Sequence, residues 1–309
     1  MESRQQLRIC KRRLLRMEAL KVVVPTNDTL GEGPSWDAEG NRLLWVDIES
    51  HQLHIYYPES GENVTYEVGQ LIGAVVPYRE DEVIVALYEG FHKYRLSTGE
   101  LTFIANPEQD HPNNRFNDGK CDPFGRFWAG TMSLEDQKNR GSLYCLDHDL
   151  SIRKVLSNVS TSNGLGWSPD GSVMYYIDTP TSQVDAFDYD GITGSISNRR
   201  VAFKMPEDAG FPDGMTVDSE GMLWIAEWDG GRVGRWNPHT GDLLDTIEVP
   251  AGHVTSCVFG GSDLEDLYIT TACAGMKDED MEAQPLSGNL FRVHTGIKGQ
   301  PTVPFKQIF

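Results

Sequence analysis

The chain has no run of eighteen apolar residues, so no segment can cross a bilayer as a helix. Cysteine is scarce: Cys10, Cys121, Cys145, Cys257 and Cys273 are the five among 309 residues. They are odd in number and scattered, with no CxxC and no Cys/His pair. That excludes a disulfide framework and a zinc cluster and leaves reduced, mostly buried thiols, as in a cytosolic protein. Basic residues are outnumbered, 27 against 46 acidic ones, for a net charge of −19. Such a surface repels phosphate backbones, so neither nucleic acid nor membrane is expected as a partner, and the expected location is cytoplasmic. Also absent are a G-x-S-x-G elbow and a GxxxxGK[ST] loop, which removes an α/β serine hydrolase and a P-loop enzyme. His51, His54, His239 and His253 form no paired-ligand pattern and read as packing or surface residues.

What is present is a chain that is 39% hydrophobic and 24% charged, enough to bury a large core. Its first sixteen residues carry Arg4, Arg8, Lys11, Arg12, Arg13 and Arg16 against Glu2, leaving 21 basic and 45 acidic residues elsewhere. Residues 1–16 therefore read as a disordered basic extension, and residues 17–309 as one domain. Glycine (31) and proline (16) punctuate short β-branched and aromatic runs, with no amphipathic helix between them, which is an all-β pattern.

The runs repeat. Gly33-Pro-Ser-Trp-Asp-Ala-Glu-Gly40 precedes Trp45, Asp118-Gly-Lys-Cys-Asp-Pro-Phe-Gly125 precedes Trp128, Gly164-Leu-Gly-Trp-Ser-Pro-Asp-Gly171 precedes Tyr176, and Gly214-Met-Thr-Val-Asp-Ser-Glu-Gly221 precedes Trp224. Each is a strand, a tight Asp/Gly turn and a second strand. Weaker copies place Val85 and Tyr268 at the same point. Anchors at 45, 85, 128, 176, 224 and 268 predict six four-stranded units, a six-bladed β-propeller. Leu20–Pro25 is expected to pair with the last blade near 289–294 and close the ring.

In a propeller, residues at one phase of the repeat converge at one mouth of the central channel. Eight residues before Gly40, Gly125, Gly171 and Gly221 stand Glu32, Asn117, Asn163 and Asp213, all acids or amides. Thr255 falls near the same phase. Oxygen donors in register from distant blades predict a hard-cation site at that mouth. Arg115, two residues before Asn117, is aimed at the same mouth and suits a polyhydroxylated or anionic ligand. Glu135 follows the Trp128 strand and could accept a hydroxyl, and Glu227 could turn into the channel.

Leu30-Gly-Glu32-Gly-Pro-Ser-Trp36, Asn114-Arg115-Phe-Asn117-Asp-Gly-Lys, Phe127-Trp-Ala-Gly-Thr-Met132, Ser162-Asn163-Gly-Leu, Pro212-Asp213-Gly-Met and Ser256-Cys-Val-Phe-Gly-Gly261 occur in that order. In these motifs the chain resembles the senescence marker protein 30/gluconolactonase family, regucalcin-like sugar lactonases. The resemblance implies a six-bladed propeller with one divalent metal ion, Ca²⁺ or Zn²⁺ with Mn²⁺ or Mg²⁺ also compatible, on Glu32, Asn163 and Asp213. It implies substrate contacts from Arg115, Asn117 and Glu135. The expected activity is metal-dependent hydrolysis of an aldonolactone such as glucono-1,5-lactone, by a monomer or weak homodimer. Asp213 is the expected general base, ionised beside the cation. The rivals are a regucalcin-like calcium-binding regulatory protein with little catalysis, a propeller esterase or phosphotriesterase, and a non-catalytic interaction propeller.

Overall fold

A computed structural model of the chain describes residues 19–308; the basic segment 1–16 lies outside the described residues. β1 (Lys21–Val24) is followed by four four-stranded sheets: β2 to β5 over 31–67, β6 to β9 over 72–105, β10 to β13 over 114–159, and β14 to β17 over 162–204. An eight-stranded sheet completes the set. It contains β18 to β21 (211–248) and a second meander of β22, β23 and β24 (253–294) with β1, the two halves meeting at Trp228 and His253. β1 pairs antiparallel with β24 (Leu290–His294), as the closure argument requires. Among the described residues the only α-helix is the short α1 (Asp278–Ala283), and no helix is long and apolar enough to cross a membrane.

The innermost strands are β2 (Gly31–Asp37), β6 (Ile72–Arg79), β10 (Asn114–Cys121), β14 (Ser162–Trp167), β18 (Phe211–Val217) and β22 (His253–Gly260). They pack in a ring: β2 on β6, β6 on β10, β10 on β14, β14 on β18, β18 on β22, and β22 back on β2. The arrangement is all-β with repeated four-stranded sheets around a channel, consistent with a β-propeller. All six repeat anchors, Trp45, Val85, Trp128, Tyr176, Trp224 and Tyr268, are buried. They fill the space between neighbouring sheets, where a flat aromatic or branched side chain buries the most apolar area.

The repeated Asp/Gly turn has a physical cause beyond its backbone shape. Asp218 Oδ1 accepts the backbone N–H groups of Glu220 and Met222 at 2.9 Å each, while Oδ2 accepts the Trp224 indole N–H at 3.0 Å and Arg235 Nε at 2.7 Å. Asp122 does the same with Phe124, Arg126 and Trp128. One buried carboxylate thus closes the turn and fixes the anchor six residues on, which is why Asp and Trp recur at that spacing. Gly125 and Gly221 complete these turns at φ of +93° and +81°, where a Cβ would be strained.

Beyond β24 the chain runs across the end of the channel where these turns lie. Lys298 O accepts Ser219 N–H at 2.9 Å, and Gly299 N–H donates to Leu264 O at 2.7 Å. Gln300 Nε2 donates to Trp167 O at 2.9 Å and Thr302 Oγ1 to Trp36 O at 2.6 Å. Phe305 N–H reaches Pro77 O at 2.8 Å and Lys306 N–H reaches Gly125 O at 2.9 Å. This strap bonds to every four-stranded set, and the buried Phe305 ring locks it into the apolar cluster of Ala74, Phe91, Phe127 and Tyr144. The four described cysteines, Cys121, Cys145, Cys257 and Cys273, are all free, with Cys145 and Cys257 buried.

Candidate functional site

Every innermost strand breaks its ladder at the same phase. The register shifts between Glu32 and Ser35, Ile72 and Ala74, Phe116 and Gly119, Ser162 and Leu165, Pro212 and Met215, and Val254 and Ser256. A bulge frees a residue from pairing and re-aims its side chain. The residues in or at these breaks are Glu32, Asn117, Asn163, Asp213 and Thr255, the positions that share a phase in the sequence. All five are buried.

Three of the set are linked directly. Arg115 Nη1 donates to Asn117 Oδ1 at 2.7 Å and to Phe116 O at 3.0 Å. Asn117 Nδ2 donates to Asn163 Oδ1 at 3.1 Å and to Ser162 O at 2.8 Å. Asn163 Nδ2 donates to Thr179 Oγ1 at 2.8 Å, whose hydroxyl donates to Pro212 O at 2.8 Å, one residue before Asp213. Each amide is therefore held in one orientation, and Asn163 Oδ1 keeps a lone pair for a ligand.

The carboxylates are held differently. Glu32 Oε2 accepts the Gly33 N–H at 2.9 Å, and Glu32 and Asp213 share a side-chain hydrogen bond. Asp213 Oδ1 is buried without a partner. Burial first, then the Asp118 charge, pushes the Glu32 carboxyl up to about 8. Burial and the Glu32 charge hold Asp213 well above the usual carboxylate range. Asp213 is thus not an ionised base on its own account: the expected low pKa requires a cation beside it. Burial pulls the Arg115 guanidinium down, opposed by Glu32, Glu49, Asp136 and Asp213.

These residues fit a hard divalent cation. Two adjacent buried carboxylates, one with an unpartnered oxygen, and an oriented amide oxygen form an oxygen-donor set that lacks its positive partner. Among the described residues no three His, Cys, Asp or Glu side chains group closely enough to hold a metal, so an amide is needed to complete the set.

Other expected residues fall elsewhere. Glu135 is exposed, accepting Asn113 Nδ2 at 3.3 Å and Gln137 Nε2 at 2.7 Å, at the rim rather than among the buried donors. Thr255 Oγ1 donates to Gly31 O and so fastens β22 to β2. Glu227 does not face the channel: its Oε2 accepts Arg232 Nε at 2.8 Å and Gly210 N–H at 3.1 Å inside its own sheet. Thr179 and the buried Asp118 were not singled out from the sequence; Asp118 sits inside a recognisable motif, whereas Thr179 has no sequence signal.

Fold and site together define a class: a ring of four-stranded sheets with buried oxygen donors in the ladder breaks at one mouth of its channel. Residues 30–273 match the family model described as the SMP-30/Gluconolactonase/LRE-like region, and the chain belongs to that family. It is 43% identical over 280 residues to a Bacillus subtilis protein named "Putative sugar lactone lactonase YvrE", covering 91% of this chain and 96% of that one. It is 40% identical over 291 residues to regucalcin of Xenopus laevis, covering 92% and 97%. The solved structure of a calcium-binding protein, regucalcin, from Agrobacterium tumefaciens superposes with a TM-score of 0.89 at 29% identity, covering 94% and 98%.

Proposed function

We propose that residues 17–309 form a single six-bladed propeller that hydrolyses a sugar lactone, an aldonolactone such as glucono-1,5-lactone, to the aldonic acid, with a divalent cation held by Glu32, Asn163 and Asp213. The observation that carries this reading is the Glu32–Asp213 pair, two buried carboxylates with Asp213 Oδ1 unpartnered, beside an Arg115–Asn117–Asn163 chain of fixed hydrogen bonds. The names of the Bacillus and Xenopus relatives support the family's lactone chemistry and the Agrobacterium structure supports calcium.

When bound, the cation supplies Lewis-acid polarisation of the lactone carbonyl. The chain does the rest. Asp213 takes a proton from the attacking water as its oxygen bonds to the carbonyl carbon. The ring C–O bond then breaks and the ring oxygen leaves as the new hydroxyl, protonated in turn. Arg115 and Asn117, immobilised by their own hydrogen bonds, orient the sugar hydroxyls, and Glu135 meets the substrate at the rim.

The test is pH-stat hydrolysis of glucono-1,5-lactone by chelator-treated protein titrated with Ca²⁺, Zn²⁺, Mn²⁺ and Mg²⁺, corrected for spontaneous opening, with Asp213→Ala as control. Metal-restored turnover that Asp213→Ala abolishes supports the lactonase reading. Calcium binding without turnover of any aldonolactone overturns it in favour of a calcium-binding protein with little catalysis, the reading the Agrobacterium neighbour's title suggests.

A further inference from the structure

Lys120 lies three residues past Asn117 on β10, buried deep enough that its ammonium is held below its ordinary value. Its Nζ donates to Met215 O on β18, at 2.5 Å. β10 and β18 are not neighbours in the ring; β14 stands between them. The lysine therefore reaches across the channel, from the strand that carries Arg115 and Asn117 to the strand that carries Asp213, two residues before the bonded carbonyl. Both ends of this tie lie just past the ladder breaks of their strands, where the backbone has lost its pairing and needs another constraint.

The surroundings explain why a charged group is used. Met215 O faces the channel beyond the break in its own ladder, and a buried carbonyl without a donor is costly. An ammonium satisfies it and also answers the charges of Asp118 and Glu32, which act on Lys120. The side chain borders a cavity of about 600 Å³ on the strap side, shared with Ser35, Thr216, Gln300 and Thr302 and with none of the candidate site residues. Lys120 thus touches neither the proposed cation nor the substrate.

We propose that Lys120 is a positioning residue: its cross-channel bond to Met215 sets the separation between the sugar-orienting pair Arg115/Asn117 and Asp213. Resting on the lactonase reading for its functional consequence, it predicts that the tie is felt in cation affinity and in kcat, as outer partners of ligand residues are. Lys120→Met keeps the volume and removes the donor; Lys120→Gln restores a neutral donor.

The experiment compares wild type, Lys120→Met and Lys120→Gln by calorimetric Ca²⁺ titration, by kcat and KM for glucono-1,5-lactone, and by hydrogen exchange of the β10 and β18 amides in metal-free protein. The expected result for Lys120→Met is Ca²⁺ affinity and kcat each lower by about tenfold, KM little changed, and faster exchange at both strands. Lys120→Gln recovers most of each. Wild-type affinity and kcat in a Lys120→Met protein that is merely less stable would overturn the proposal, as would tighter Ca²⁺ binding, which would make Lys120 a repelling charge. If wild type itself neither binds Ca²⁺ nor turns over lactone, the lactonase reading fails, while unchanged exchange at β10 and β18 in Lys120→Met would refute the tie independently.

Discussion

Two kinds of carboxylate are buried in this protein. Asp122 and Asp218 are wholly inaccessible, and every acceptor on them is used: backbone N–H groups of the turn on one oxygen, an indole and an arginine on the other. Glu32 and Asp213 are buried almost as deeply but hold one backbone N–H and each other, and one Asp213 oxygen has nothing. Burial does not separate structural from functional acids. Unspent acceptor capacity does, because a buried carboxylate short of donors is costly until a cation arrives. Glu227 stands between the two, with Oε2 fully engaged and Oε1 without a partner, yet Arg232 lies on it.

The comparison makes predictions of opposite sign. Asp213→Asn is expected to lower kcat/KM by on the order of 10³- to 10⁴-fold, since it removes the base and an anionic ligand together. The same change should raise the thermal midpoint of the metal-free protein, because it relieves a buried carboxylate pair. Asp218→Asn should act in reverse: about 3 kcal/mol of stability is lost as Arg235 is left without its buried partner, while kcat of the folded fraction stays at the wild-type value. Denaturant unfolding of the two chelator-treated variants, beside their lactone kinetics, measures both. Equal destabilisation by the two substitutions would erase the distinction.

How much of this was legible beforehand follows from what each feature depends on. The anchors Trp45, Trp128, Tyr176 and Trp224 recur at a near-constant spacing because each fills the same gap between sheets, so the repeat and its phase could be counted. That phase placed Glu32, Asn117, Asn163 and Asp213 correctly at one end. It could not show the ladder breaks, which need the partner strand to be seen. Nor could it show Thr179, which orients Asn163 from a turn far outside the repeat unit's motif, or the inward fold of Glu227 onto Arg232. The strap over 298–308 has no periodicity; its course is set by carbonyls that six separate sheets leave free.

A smaller effect sharpens the comparison by pH. Glu32 has its carboxyl raised to about 8, by burial first and Asp118 next, from an ordinary 4.5. For an acid raised on folding, the stabilisation is complete below the unfolded value and is lost as pH climbs through the folded one. Metal-free protein should therefore lose stability between about pH 4.5 and 8, and Glu32→Gln should flatten that slope. Cation affinity should change in the opposite sense, rising over the same window, because binding must displace the shared proton. Thermal midpoints of chelator-treated wild type and Glu32→Gln from pH 5 to 9 test the first statement, and Ca²⁺ titrations across that range test the second. A slope that survives in Glu32→Gln would move the unsatisfied acid elsewhere.

The smallest expected effect belongs to Glu135, where the family motif and the local geometry pull apart. The motif position makes it a substrate contact, yet its carboxylate is exposed and already accepts from Asn113 and Gln137. A hydroxyl bonded there must displace a neighbouring amide or water, so the net gain is that of a solvated hydrogen bond, within about 1 kcal/mol. Glu135→Gln should raise KM for glucono-1,5-lactone by no more than about fivefold with kcat unchanged, the signature of binding shared equally by ground and transition states. A large fall in kcat would instead mean that the loop after β11 (Phe127–Ser133) swings Glu135 onto the buried donors when substrate enters. In that case a side chain with its acceptors spent at the rim would join those whose acceptors are free, and unspent capacity would have to be judged in the bound state.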